Sequence, residues 1–583
     1  MLNVDQFLTT RFPDFCHNKP NAARTLAKVL KVLFHEREFR QFETLYPHVE
    51  GFDFVDQVLE YFDFAYRVRD RERERIPARG RVVIIANHPI GSLDGLSLLK
   101  LIREIRSDVK VVANDMLTTL KPLHSLLLPV NNMDGNTRKA DLQAITKHLE
   151  NEGAVIIFPA GEVSRLSPKG VRDGRWQQGF LRFASTTQSP ILPIMVDARN
   201  SLFFYALSFL AKPLSTLWLV REMFKHSENC VDIRIGDAIP PAAYQLPKLS
   251  RRETVKLVKE HLYRIGKGRK GLFATQTSIA QPENRAALRN EVRGCELLGE
   301  TGDGKQIYLY RYDPNSLIIR EIGRLREIAF RAVGEGSGTR RDTDSYDKHY
   351  LHLLLWDDAD LEIAGAYRIC PTNNFERNDS RLYSASLFTF TEAMTPYMAQ
   401  GLELGRSFVQ PRYWGRRSLD YLWYGIGAYL RKNPQCRYLF GPVTLSNAYP
   451  PHALQLLVHF YRRHFPAPEP LAIAKLPFQI PVKRLALLDQ MLPGKDYSEE
   501  FCQLKSQLNH MDLSVPTLYK QYTELCEPGG VSFSGFNVDP EFANCVDGLI
   551  VVDLTMLKAN KWNRYISSEK SGSEASGTPK TDD

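Results

Sequence analysis

The chain has no run of about 18 uninterrupted apolar residues, the length an apolar helix needs to cross a bilayer. Its amino terminus, MLNVDQFLTTRFPDF, lacks the charged-then-apolar layout of a secretory leader, so a protein of the cytosolic side is expected. The eight cysteines (Cys16, Cys230, Cys295, Cys370, Cys436, Cys502, Cys526 and Cys545) include no C-x-x-C pair. That spacing argues against a zinc ribbon or redox couple and for reduced core thiols. Zinc-finger spacing, an RNP-type aromatic motif and long lysine runs are missing too. The formal charge of +9 therefore points away from nucleic acid, and toward anionic lipid or an acidic protein partner. What remains is an ordinary globular composition, 43% hydrophobic and 25% charged, in a chain of 583 residues. That length is too great for one core, so two or more domains are expected.

The stretch Arg81 to Gly95, RVVIIANHPIGSLDG, carries the first chemical signal. Val82 to Ala86 reads as a buried strand, and Asn87 to Gly95 supply the breakers that end it. A histidine takes a proton near neutral pH, and a carboxylate on its second ring nitrogen fixes the tautomer and stabilises the imidazolium. His88 and Asp94 on one turn could thus activate a substrate hydroxyl. A capped loop with a surface histidine is the plainer alternative. Further on, Ala154 to Phe158 is a second short apolar run, and it ends in Pro159-Ala160-Gly161-Glu162-Val163-Ser164-Arg165.

Together NHPxGxxDG and FPxGExSR resemble the glycerolipid acyltransferase family, especially its hemolysin-type and ornithine-lipid synthase branch. The resemblance implies that His88 and Asp94 are the catalytic pair. It also implies that Asn87, Gly91, Gly161, Glu162 and Arg165 bind the acyl acceptor. The sequence departs from the family pattern twice. One more residue than usual separates His88 from Asp94, and Ala160 stands where the family has glutamate, with Glu162 after the glycine. Gly91 can absorb the extra residue in a tight turn because glycine tolerates positive φ.

Residues 1–80 read as a helical lead-in. Leu26, Val29, Leu30 and Leu33 recur at helical spacing, as do Phe54, Val58, Leu59 and Phe62. Arg67 to Arg81 sets seven arginines against three acids: a salt-bridged helix end, or a basic rim facing lipid phosphate or an acidic carrier. Strands then alternate with helices, the pattern of an α/β sheet whose ligands gather at strand ends. The aromatic-rich segment Ser201 to Val220 is broken by Lys212 and Pro213. It reads as an interfacial membrane anchor or as a buried helix pair. Cys230 to Ile235 reads as an edge strand. The front α/β domain is placed at 1–265 and a linker at 266–284.

A second α/β domain is expected over 285–562. It has a helix over 317–333, a hairpin from His352 to Ile369, and a strand ELGRSFV holding Glu403 and Arg406. Strand alternation puts those two on opposite faces unless a bulge intervenes at Gly405. A helix over 419–431 follows a basic, glycine-bearing turn, the layout of an anion site built from free backbone amides. Arg412, Gly415 and Arg417 resemble the R-x-x-G-x-G/A loop of GNAT acetyltransferases, and E-x-x-R resembles the carrier-protein-dependent GNAT relatives. These include ornithine N-acyltransferases and acyl-homoserine lactone synthases. Glu403 is then expected to hold or deprotonate the acceptor amine. His452, His459 and His464 read as a half-exposed helix face. The tail at 563–583 is expected to be disordered.

Two such halves in this order resemble the bifunctional ornithine-lipid synthases. The resemblance implies N-acylation of ornithine from 3-hydroxyacyl-acyl carrier protein by the second half, then O-acylation of the lyso-lipid by the first. It implies an enzyme with no metal and no bound cofactor, using acyl carrier protein or acyl-CoA as co-substrate. Its partners would be the carrier, small amino-acid and lipid substrates, and the inner face of an anionic membrane. The alternatives are a lysophospholipid or glycerol-phosphate acyltransferase with an accessory GNAT module, and a membrane-binding hemolysin-like protein.

Overall fold

Two separate sheets gather the apolar runs of the chain in this computed structural model. It describes all residues except 1–3, 6–8, 10–12, 34, 115–119, 131–138, 169, 211, 227–229, 495 and 568–583. The chain divides into two units between Ala280 and Gln281.

The first unit holds β1 (Ala65–Arg67), β2 (Val82–Ala86), β3 (Val109–Asn114), β4 (Leu127–Val130), β5 (Ala154–Ile157), the hairpin β6 (Arg165–Ser167) and β7 (Gly170–Arg172), β8 (Ile191–Asp197) and β9 (Cys230–Ile235). Seven of them form one sheet in the order β1-β9-β8-β2-β5-β3-β4, parallel except for the β8–β9 pair. Every residue of β2 is buried, as expected of a strand covered on both faces. Val82, Ile84 and Ala86 pack toward the helices Gly51–Tyr61 and Ser92–Arg103. Val83 and Ile85 pack toward Lys139–Glu150, Gly179–Thr186 and Arg251–Gly266. β2 and β5 run side by side in register, Ile85 against Ile157, so the turns that follow them leave the sheet together.

Cys230–Ile235 is not an edge strand as expected, because β1 pairs with it in parallel from Ala65. β1 is three half-exposed residues with no apolar pattern to announce it. The arginine-rich stretch is salt-bridged: Arg67 to Asp232, Arg73 to Glu104, Arg75 to Asp237, and Arg81 to Glu152. The segment after Asn200 folds as two helices, Leu202–Leu210 and Lys212–Lys225. Phe204 and Tyr205 are buried there, yet Leu202 is 84% and Phe203 53% exposed. No helix among the described residues is long and apolar enough to cross a membrane.

The second unit holds β10 (Glu296–Glu300), β11 (Gln306–Arg311), β12 (Leu351–Asp357), β13 (Glu362–Pro371), β14 (Phe388–Phe390), β15 (Gly401–Val409), β16 (Tyr438–Leu445), β17 (Ala472–Ala474), β18 (Val531–Asp539) and β19 (Cys545–Asp553). Its main sheet has the order β10-β11-β12-β13-β15-β16-β19-β18. Every neighbouring pair is antiparallel except β15–β16, which runs parallel over Gly401–Glu403 and Tyr438–Phe440 and is then unpaired. One face packs apolar side chains against the helices Ser418–Lys432, Pro451–His464 and Tyr497–Asn509. The other faces the helix Leu317–Ala332 and the turn around Ser384.

The expected disordered tail differs at its start. Asn563–Ser567 is a helical turn, held because Tyr565 is buried and its hydroxyl donates to Asp420 Oδ1 at 2.7 Å. The rest of the tail lies outside the described residues, as do the breakers after β4 at 133–136.

Candidate active sites

In the first unit the site grows from the adjacent ends of β2 and β5. Asn87, 3% exposed, closes a two-bond clamp on β8: its amide donates to Val196 O at 2.8 Å and accepts from Val196 N at 2.7 Å. The Asn87 amide is thus occupied by backbone, and it holds strand ends together instead of facing the opening. His88 follows at the rim with 21% of its side chain exposed, its ring 4.3 Å from that of Phe158. Gly91 adopts φ +104° ahead of the helix Ser92–Arg103, the freedom that the longer His88–Asp94 spacing requires.

That turn returns Asp94 beneath the imidazole. Asp94 Oδ2 lies 3.3 Å from His88 Nδ1. The same oxygen accepts the Ile90 and Gly91 amides at 3.0 and 3.1 Å, so the carboxylate also caps its own helix. Its side chain is fully buried, in contrast to the imidazole it supports. An imidazole with one nitrogen against a buried carboxylate and its ring edge at solvent has the parts of a general base.

The second motif folds toward this pair. Gly161 takes φ +66°, its N–H bonding back to Phe158 O at 3.0 Å. Ser164 N–H donates to His88 O at 2.7 Å. Glu162 lies 3.6 Å from Arg165 Nε, and Arg165 reaches the hydroxyls of Ser208 and Ser215 on the two helices beyond β8. Ser164 and Phe158 thus bring the second motif against His88, and Arg165 joins the motif to the half-exposed helix pair.

Sequence reasoning missed Asp173. Its Oδ1 accepts the His88 N–H at 3.2 Å and the Ser164 hydroxyl at 2.5 Å, and its Oδ2 accepts Trp176 Nε1 at 2.8 Å. It also missed Asn200, whose amide donates to Pro89 O at 3.1 Å while its oxygen lies 3.1 Å from His226 Nε2. His226 is held below its usual range by burial, which outweighs the nearby Glu222 and Asp94.

In the second unit one sheet face carries a row of charged side chains. Glu403, 1% exposed, accepts Ser384 N at 2.8 Å, Ser384 Oγ at 2.6 Å and Tyr350 OH at 2.6 Å. Burial raises its carboxyl above the ordinary range against those donors. Arg368 lies over the rings of Tyr350 and Tyr383 and donates to Asp344 at 2.7 Å and Asp347 at 3.2 Å. Its Nε and second terminal nitrogen have no hydrogen-bond partner among the described residues. Burial would lift the Asp347 carboxyl, but Arg326 and Arg368 together hold it well below the usual range.

Arg406 shares the Tyr383 ring with Arg368. It reaches that face through a bulge: it adopts φ +47°, and the β13–β15 register slips between Ala366 and Arg368. The expected irregularity thus exists one residue later than Gly405. Arg406 is enclosed by Asp342 and Asp344, 3.9 and 3.6 Å away.

Across the mouth of the sheet, the loop expected to bind an anion is differently occupied. Arg412 is ion-paired to Asp360 and Glu362, and Arg417 lies 3.2 Å from Asp420. Gly415 takes φ +74° with open space around it, and the helix that begins at Ser418 has no side-chain cap. Its first amides take no bond from the N-cap side chain, and those guanidinium groups are already ion-paired. On Pro451–His464, His459 lies 3.1 Å from Asp489 and His464 2.5 Å from the fully buried Glu500. His452 is exposed and these two are partly exposed, a half-exposed helix face as expected, with the latter two set against acids of other helices.

Comparison with known proteins divides the chain the same way. Residues 8–269 match the family described as Acyltransferase, and residues 325–424 match the acetyltransferase (GNAT) domain. The chain is similar to glycine N(alpha)-acyltransferase of Phocaeicola vulgatus, 28% identical over 50% of this chain and 93% of that one. It is similar to lyso-glycine lipid O-acyltransferase of Bacteroides thetaiotaomicron, 27% identical over 46% and 97% respectively. L-ornithine N(alpha)-acyltransferase of Rhizobium meliloti is 29% identical over 41% of this chain and 76% of its own.

Proposed function

We propose that this chain, an acyltransferase in which an acyltransferase domain precedes a GNAT domain, makes an aminolipid in two steps. The GNAT half transfers a 3-hydroxyacyl group from acyl carrier protein to the α-amine of ornithine. The front half then esterifies the new lipid hydroxyl with a second acyl chain. Relatives named for amino-acid N-acylation and for lyso-lipid O-acylation, each matching about half the chain, support the pairing of steps.

The observation that carries the reading is the His88–Asp94 pair, 3.3 Å apart at the joint end of two parallel strands. His88 takes the hydroxyl proton as the oxygen attacks the thioester carbonyl. The C–S bond breaks, and the leaving thiolate takes the proton back from the imidazolium. Glu162 and Arg165 clamp the acceptor. In the GNAT half the amino-acid carboxylate meets the unpartnered nitrogens of Arg368. Asp342, Asp344, Asp347 and Glu403 share this region with Arg326, Arg368 and Arg406, and the acceptor is read as one with a second cation, ornithine and not glycine.

The exposed Leu202 and Phe203, with Leu26, Val29 and Val32 of the helix Pro20–Leu33, make the surface that rests on the inner face of an anionic membrane. The helix Pro20–Leu33 packs on Lys212–Lys225 through Ala27, Leu30 and Val220. Arg165 ties this surface to the His88 site, so a lyso-lipid reaches it from the headgroup region.

A lipid extract of expressing cells tests the reading. A new ninhydrin-positive, phosphorus-free lipid is expected, labelled by radioactive ornithine. Label from glycine instead would reassign the amino acid. A change confined to phospholipids would mean a lysophospholipid or glycerol-phosphate acyltransferase, and lysis of red cells without lipid change a hemolysin-like protein.

A further inference from the structure

The charged row of the GNAT sheet extends past Glu403 to β19. There Leu549 and Val551 pack with Tyr350, Cys370 and Phe440, while Val546, Ile550 and Val552 pack on the opposite face. By that alternation Asp547 shares the face of Glu403. Its cross-strand partner is Thr444, which lies on β16 beyond the point where β15 and β16 cease to pair. Asp547 therefore lies next to the stretch of β16 that β15 no longer pairs with, on the sheet face that carries Glu403.

Asp547 is 1% exposed, and its Oδ1 accepts the Thr444 hydroxyl at 2.6 Å. Its Oδ2 meets no hydrogen-bond donor among the described residues. A buried carboxylate oxygen left without a donor is costly and calls for an incoming partner. Glu403 offers the contrast: three donors converge on its two oxygens, which suits holding the pocket's shape better than receiving a proton.

We propose that Asp547 is the group that accepts the proton of the amino-acid ammonium in the GNAT half. This rests on the N-acylation reading above. The ammonium gives one proton to Asp547 Oδ2, and the freed lone pair attacks the thioester carbonyl carbon. The N–C bond forms and the C–S bond breaks. The second nitrogen proton goes to the departing thiolate, leaving amide, thiol and a protonated Asp547 that returns its proton to solvent.

The surroundings fit the task. Burial pushes the Asp547 carboxyl up to about 7, with Asp539 adding to the rise and Thr444 and Arg406 opposing it. A base poised near ambient pH is the efficient one. Glu335 also interacts with Asp547 and is pushed up to about 8, chiefly by burial. Its loop is fixed to the end of β16 by the Ser446 hydroxyl on Val333 O at 2.6 Å. Tyr383 and the buried Tyr519 and Cys545 also interact with Asp547.

The test measures N-acylation by the full-length protein against pH, with ornithine and glycine as acceptors and a 3-hydroxyacyl thioester of acyl carrier protein as donor. D547N should lower the rate at pH 7 by about 100-fold or more. It should also abolish the acidic limb near pH 7, with activity climbing toward high pH as free amine becomes available. T444V removes the donor on Oδ1 and should move the limb upward by about one unit, an effect a packing role would not produce. If D547N stays within threefold of the parent with the same limb, or T444V leaves the limb in place, the assignment is wrong. Should D547N fail to fold, the T444V limb decides alone. If the parent protein acylates no amino acid at all, the N-acylation reading itself fails and this assignment falls with it.

Discussion

The carboxylate of Asp173 accepts the main-chain N–H of His88 at 3.2 Å. Through it, residues far apart in the chain fix the orientation of the proposed base. The same carboxylate also holds Ser164 of the second motif, so one buried acid aligns both turns.

Replacing Asp173 by Ala should therefore cost both stability and rate. The Ser164 hydroxyl and Trp176 indole N–H would lose their acceptor in the interior, at roughly 2 to 4 kcal/mol together. Misplacement of His88 should lower O-acylation by about 100-fold. Urea denaturation and lyso-lipid esterification measure the two effects, and D173N should recover part of the stability first. Rates equal to the parent's would remove Asp173 from the site.

Changing His88 to Ala should reduce esterification by about 100- to 10,000-fold while the N-acyl product accumulates. Thin-layer separation of the two products reads this directly. Survival of both activities would refute the role given to His88.

E403Q should show the reverse separation. Burying an amide where Tyr350 and Ser384 both donate leaves one of them without an acceptor. N-acylation should fall by about tenfold or more, while supplied lyso-lipid is still esterified. Equal loss of both steps would argue for a general folding defect.

Acid should destabilise each unit through a neutral buried histidine. His261 is held at about 4 by burial and Arg264, with its Nδ1 accepting the Leu272 and Phe273 amides at 2.8 and 3.1 Å. In the second unit burial and Arg326 depress His352 to about 3. Between those values and the unfolded pKa of about 6.5 the unfolded chain binds more protons, so stability rises with pH there. It is fully present above about pH 6.5 and falls by about 2 kcal/mol per histidine down to pH 5. Urea midpoints at pH 7 and pH 5 check this, and H261F should flatten the first unit's share.

Much of the front site was legible because its signals are local. Val82–Ala86 is an uninterrupted apolar run, its breakers are consecutive, and the positive φ of Gly91 follows from fitting Asp94 back under His88. Asp173 and Asn200 were not legible: each acts through a contact made only when distant turns converge. β1 was missed because three half-exposed residues carry no period, and its absence made β9 look like an edge. In the GNAT half Glu403 was singled out by the resemblance of E-x-x-R, and alternation gave only the need for a bulge if Arg406 was to share its face, not the residue that bulges. Arg412 looked free because Asp360 and Glu362 lie across a hairpin that sequence does not bring near. Asp547 stands in CVDG, just ahead of the apolar run LIVVDL, where an acid before a glycine reads as a turn until the strand's faces are known.

Gly441 is the first residue of β16 past its pairing with β15, and a Cβ built there would stand 2.1 Å from the Leu404 carbonyl oxygen. The backbones there leave no room for a side chain. A methyl group there would collide with that carbonyl, so G441A would force β15 and β16 apart at Leu404. The spacing of the two strands just beyond Phe440 is thus set by a residue that has no side chain.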